Sequence, residues 1–202
     1  EGIVRQTFAM SSISGVLLVG LVSCTTPLDM SDERITALGP EWGLVIGSVL
    51  VQPEQRPPRQ DSIPHDASGY SYEFNIVPIQ PGDPNGENPY AEHFRLDAKA
   101  GEERIFMSRL RSGEYLIRNF KEEGMTGLGG ELGLVFASEA GEIRYIGRVL
   151  VEIPARISKG KGYRFTVENA REPTLEQLSR QHADLTKDVV DKPMQARERP
   201  AP

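Results

Sequence analysis

Cys24 is the only cysteine among 202 residues and the one side chain whose chemistry is set by its immediate surroundings. It closes an apolar run that begins near Ile13 and carries Val16, Leu17, Leu18, Val19 and Leu21. Thr25-Thr26-Pro27 then opens a polar, turn-prone stretch. A thiolate is the strongest side-chain nucleophile for forming a thioether, and serine would not replace it. Other chemistry-bearing residues are scattered. His65, His93 and His182 never fall at a ligand spacing such as His-x-x-x-His or His-x-Glu, and no Gly-x-Ser-x-Gly elbow occurs. Asp83, Asn85, Glu87 and Asn88 are rich in oxygen but lack the ligand order of an EF-hand, so they read as a solvated turn. Glu102-Glu103 and Glu122-Glu123 are adjacent pairs. On a strand such neighbours point to opposite faces and cannot flank one bond. Arg144 and Arg148, with Arg164 where its strand pairs nearby, suggest a basic outer sheet face and are the candidate binding surface. No catalytic set, metal or cofactor is expected.

The apolar run has about the length of a signal-peptide hydrophobic region and is too short for a helix spanning a bilayer core of roughly 30 Å. Leu21-Val22-Ser23-Cys24 resembles the lipobox of bacterial lipoproteins. That resemblance implies cleavage before Cys24, a diacylglyceryl thioether on its sulfur and often an acylated new N-terminus. Anchoring by two or three acyl chains is effectively permanent, at about 0.8 kcal/mol per buried methylene, whereas one chain is marginal. In the enterobacterial sorting pattern a residue other than Asp after the cysteine implies outer-membrane delivery, and Thr25 stands there. The implied partner is therefore the membrane, through lipid on Cys24.

Removal of residues 1–23 leaves 179 residues, enough for one domain with its own core. Glu1 and Arg5 cancel in the leader, so the remainder keeps the formal charge of −6. Mild acidity without a basic stripe argues against nucleic acid as a partner. With Cys24 lipidated no disulfide can form, and packing alone must hold the fold.

The rest of the chain must position whatever function there is. Residues 24–41 read as a tether, with a short helical turn around 32–38. Strand patterns follow at 43–52, 70–79, 91–97, 103–109, 114–121, 131–138, 142–153 and 162–169. In the second, Tyr70, Tyr72, Phe74 and Ile76 are expected inward, against Ser71, Glu73 and Asn75. In the seventh, Ile143, Tyr145, Val149 and Val151 are expected opposite Arg144, Arg148 and Glu152. The fold class is mainly β: an antiparallel β-sandwich of about seven to eight strands with a C-terminal helix. Proline-rich loops at 53–68 and 81–89 and a glycine-rich connection at 124–130 interrupt the ladders. Leu175, Leu178, His182 and Leu185 share one helical face, which ends the domain near residue 187. Residues 188–202 read as a disordered tail.

Leu110-Arg111-Ser112-Gly113-Glu114-Tyr115-Leu116-Ile117 has the form Leu-x-x-Gly-x-Tyr-x-Ile. It resembles an element of transthyretin-like and carboxypeptidase-regulatory-like β-sandwiches. Small bacterial lipoproteins with such a domain often add a later Tyr-Ile-Gly, matched by Tyr145-Ile146-Gly147. The resemblance spans residues 42–187 and implies a fold rather than an activity. Taken together, the sequence leads to a lipid-anchored envelope protein with a non-enzymatic interaction or assembly role, with other envelope proteins as candidate partners. The alternatives are a glycan- or peptide-binding module using Tyr70 and Tyr72, and an enzyme or metal protein.

Overall fold

All eight patterned segments form strands, and five shorter strands join them. A computed structural model describes residues 25–28, 38–54, 63–64, 69–123, 129–154, 156–157 and 162–197. The leader, Cys24, most of the 32–38 and 53–68 segments, His65, residues 124–128 and the last five residues lie outside the described residues.

The first sheet has six strands in the order β1 (Thr25–Pro27), β5 (His93–Lys99), β4 (Ser71–Pro78), β7 (Gly113–Glu122), β8 (Gly129–Ser138) and β13 (Gln195–Ala196). The second runs β11 (Arg164–Glu168), β9 (Ile143–Ile153), β2 (Trp42–Pro53) and β6 (Glu103–Arg111), with β12 (Val189–Asp191) continuing the β11 side of β9. Two further short strands, β3 (Ile63–Pro64) and β10 (Arg156–Ile157), pair with each other.

Alternation explains the first sheet. Tyr72, Phe74 and Ile76 are buried, while Glu73 on the other face meets Arg95 at 3.7 Å and Lys121 at 3.1 Å. Phe74 stacks on Phe120, and Tyr115 on Phe136, in a core that also takes Val45, Val49, Val51, Ile146, Val149 and Val151 from the second sheet. Each such side chain contributes about 1.5–3 kcal/mol on full burial.

The second sheet is buried on both faces at one end. Leu44, Ile46, Met107 and Tyr145 form a smaller core beneath α1 (Arg171–Ser179) and a 3-10 turn (Ala183–Thr186), through Leu175, Leu178 and Leu185. The expected C-terminal helix is present, broken between Ser179 and Ala183. Burial on two faces suits the parallel pairing of β2 with β9, one of three parallel pairs among the otherwise antiparallel ladders of the described residues.

Two boundaries differ from expectation. The segment after Cys24 is knitted into the domain at once: Thr25, Thr26 and Pro27 pair with His93, Phe94 and Arg95, and Leu28 is buried in the main core. At the other end, residues 189–197 are ordered instead of trailing free. β12 adds to the second sheet, Met194 enters the main core, and β13 pairs with Val135 and Leu134 of the first. This strap spans the gap between β8 and β9. Backbone hydrogen bonds replace the disorder that its prolines and charges suggested.

Candidate functional site

The three arginines do not share a face. Gly147 adopts φ +95°, and the β2–β9 register slips there, so that Ile46 faces Tyr145 but Ser48 faces Arg148. This bulge inserts one residue and reverses the alternation. Ile143 and Tyr145 therefore point under the helix, while Val149 and Val151 enter the core between the sheets. Arg144 is turned to the opposite side from Tyr145. Its Nε donates to Glu142 at 2.8 Å, and Glu139 lies 3.7 Å from its Nη2.

Arg148 and Arg164 do share the outward face. Arg148 donates from Nε and Nη2 to one oxygen of Glu168, at 3.1 and 2.7 Å, and reaches Glu103 at 3.5 Å. Glu103 also accepts from the buried Ser48 hydroxyl at 2.7 Å. Arg164 meets Glu54 at 3.1 Å and Glu152 at 3.3 Å. Burial opposes the charge of Arg148, but the bonds from Glu168 and Glu103 prevail and raise its pKa above the usual guanidinium value. Two guanidiniums thus face four carboxylates. The expected basic face is a ladder with an excess of carboxylates, reaching from β6 to β11, whose chemistry is cross-strand pairing rather than anion capture.

The other residues put forward by the sequence are also engaged. Both Asp83 carboxylate oxygens accept backbone N–H groups, from Glu87 at 2.8 Å and Asn88 at 2.9 Å, and these bonds hold its pKa below the usual value. Gly86, at φ +61°, packs so tightly on Val77 that a Cβ there would fall 2.1 Å from a Val77 methyl. The 81–89 loop is thereby folded back onto the sheet. His93 is hydrogen-bonded to the Asn88 carbonyl at 3.2 Å, and His182 is half-buried at the start of the 3-10 turn. Glu102 pairs with Lys99, whereas Glu103 joins the arginine ladder. Among the described residues no group of three or more His, Cys, Asp or Glu side chains is placed to hold a metal.

Tyr70 and Tyr72 do not form an exposed pair. Tyr70 is 39 % exposed, but Tyr72 is 0 % exposed with its hydroxyl unpartnered. Burial first, then the Glu122 carboxylate, push the Tyr72 phenol up to about 12. Two features escaped the strand periodicity. Tyr90 is 81 % exposed, in the turn before β5. An aromatic within a run of turn formers has no strand face to bury it, and that was the signal available. Trp42 holds two guanidiniums over its ring, Arg109 at 4.8 Å and Arg111 at 5.4 Å. Among the described residues no helix is long and apolar enough to cross a membrane. No family model, curated protein or solved structure matches the chain.

Proposed function

We propose that this is a lipid-anchored protein of the bacterial cell envelope, delivered to the outer membrane, whose β-sandwich acts through interaction or assembly rather than catalysis. The observation that carries this reading is Leu21-Val22-Ser23-Cys24 at the end of an apolar run, with the sole cysteine as its last residue. A non-catalytic role is supported by how the polar side chains are used: Arg148, Glu103, Glu168 and Asp83 are occupied in holding strands and a loop. The Leu110–Ile117 element supports the likeness to transthyretin-like sandwiches as a packing motif. Leu110, Tyr115 and Ile117 are all buried in the main core.

The test is fractionation and mass measurement of the protein made in a bacterial host. The wild-type chain is expected in the membrane fraction with a lipid-bearing Cys24 at its N-terminus, and Cys24→Ser abolishes both. Recovery of an unmodified, soluble wild-type chain refutes the anchor. Crosslinking in cells then tests the interaction role, which fails if no envelope protein is captured.

A further inference from the structure

We propose that the sandwich stands on the membrane with no flexible tether, resting on the end that carries Tyr90 and the Trp42–Arg109–Arg111 stack. The proposal rests on the anchor reading and adds an orientation to it. Cys24 is joined by one peptide bond to Thr25, so its Cα lies about 3.8 Å from a residue already in the sheet. Thr25 pairs with His93 at the start of β5, and Leu28 fixes the strand by its buried side chain and by its N–H bond to the Arg95 carbonyl at 2.8 Å. A lipid on Cys24 would leave the domain from this paired strand, beside His93.

The same end gathers the side chains suited to a lipid–water boundary. Tyr90 lies three residues before His93, held by Asn88, whose side chain accepts the Tyr90 N–H at 3.0 Å and whose carbonyl meets His93. Across the sandwich, Trp42 pairs with Arg111, and the Ser112 N–H bonds the Glu41 carbonyl. The Tyr115 hydroxyl bonds the Arg111 carbonyl at 3.0 Å and its ring meets that of Phe94 in an edge contact, which brings the end of β6 and the start of β5 to one end of the sandwich. Tyrosine, tryptophan and arginine present an apolar body with a polar tip, the form that settles at headgroup level. Glu92, Glu114 and Glu139 share this end, so contact comes from anchor and aromatic rings rather than attraction to anionic lipid. The opposite end of β5, at Lys99, stands about 20 Å away at roughly 3.3 Å per residue.

Lipid occupies the only native thiol in this reading, so Glu92→Cys and Glu102→Cys each add a single labelling site to the full lipidated chain. The chain is placed in phosphatidylethanolamine–phosphatidylglycerol vesicles containing a nitroxide-headgroup lipid. A dye at position 92 is expected to lose fluorescence while one at 102 keeps it, at low and high salt alike. A flexible Gly-Ser spacer inserted after Cys24 is expected to remove the difference. Equal quenching at 92 and 102 in a chain shown to carry lipid overturns the orientation alone. A difference that survives the spacer overturns β1 as the mount, and a chain without lipid on Cys24 overturns anchor and orientation together.

Discussion

The Tyr115 hydroxyl donates to the Arg111 carbonyl oxygen at 3.0 Å, tying the start of β7 to the end of β6 where the chain passes from one sheet to the other. This bond gives the Leu-x-x-Gly-x-Tyr element its physical meaning. The turn at Ser112-Gly113 carries the crossover, Leu110 and Tyr115 enter the core on either side, and the phenol satisfies a carbonyl at the corner. Tyr115→Phe keeps the stacked ring against Phe136 and loses the bond, so it should cost about 1 kcal/mol. Tyr115→Ala removes the ring as well and should cost about 3–5 kcal/mol. Urea unfolding midpoints separate the two.

Gly147→Val should be destabilising by about 1–3 kcal/mol, because a β-branched residue at φ +95° is strained. Its Cβ would also lie 3.0 Å from a Val167 methyl. If the bulge were relieved instead, Arg148 would leave Glu168. Thermal unfolding read beside that of Arg148→Met distinguishes strain from loss of the ion pair.

Met194→Ala should cost about 2–5 kcal/mol by opening a cavity where the strap meets the core. Truncation after Asp188 should be more damaging, since it also removes the Lys192 and Met194 N–H bonds to Tyr145 and Ile146. Denaturant unfolding and hydrogen exchange at β8 are the measurements. Unchanged protection of β8 would show that the strap does not seal that edge.

At high pH the fold should weaken as buried phenols ionise. Tyr72 and Tyr115 are each raised from 10.0 to about 12, chiefly by burial. A raised folded value contributes stability that is complete below the unfolded value of 10 and is lost as pH rises through 12. Tyrosinate absorbance should therefore rise together with loss of near-ultraviolet circular dichroism. Tyr72→Phe should flatten the loss between pH 10 and 12, and its unpartnered hydroxyl means that little is forfeited at neutral pH.

Asp83 runs in the opposite sense. Its depressed pKa adds order to the 81–89 loop above the ordinary value of 3.8, and this is lost as pH falls through the lower folded value. Asp83→Ala should make the loop protease-sensitive at neutral pH, with the sandwich's unfolding transition little changed.

The eight long strands were legible because period-two alternation persists over five residues or more. Strands of two or three residues carry no such period, so in sequence β1 looks like tether and β12 and β13 look like tail. The division of the arginines was hidden for a different reason. Ile143, Tyr145, Val149 and Val151 alternate without a break in sequence, yet Tyr145 and Val149 serve different cores. A sheet apolar on both faces removes the contrast that would expose a bulge; only a glycine inside the strand hinted at one. Nor could spacing reveal that Arg148 and Arg164 each had a carboxylate waiting on a neighbouring strand, or that Arg144 would turn back to Glu139 and Glu142 in the β8–β9 connection.

The parallel match of Leu44 with Ile143 joins residues about 100 positions apart, and the strap that seals the sandwich is almost the last of the described chain. Closure therefore waits for strands made long after β2. During synthesis β4 can pair with β5 as soon as both are made, but the β2–β9 seam and the strap stay open until residues 143–196 have followed. Under the proposed envelope location, an edge left open this long would keep the chain threadable while it crosses a translocation pore.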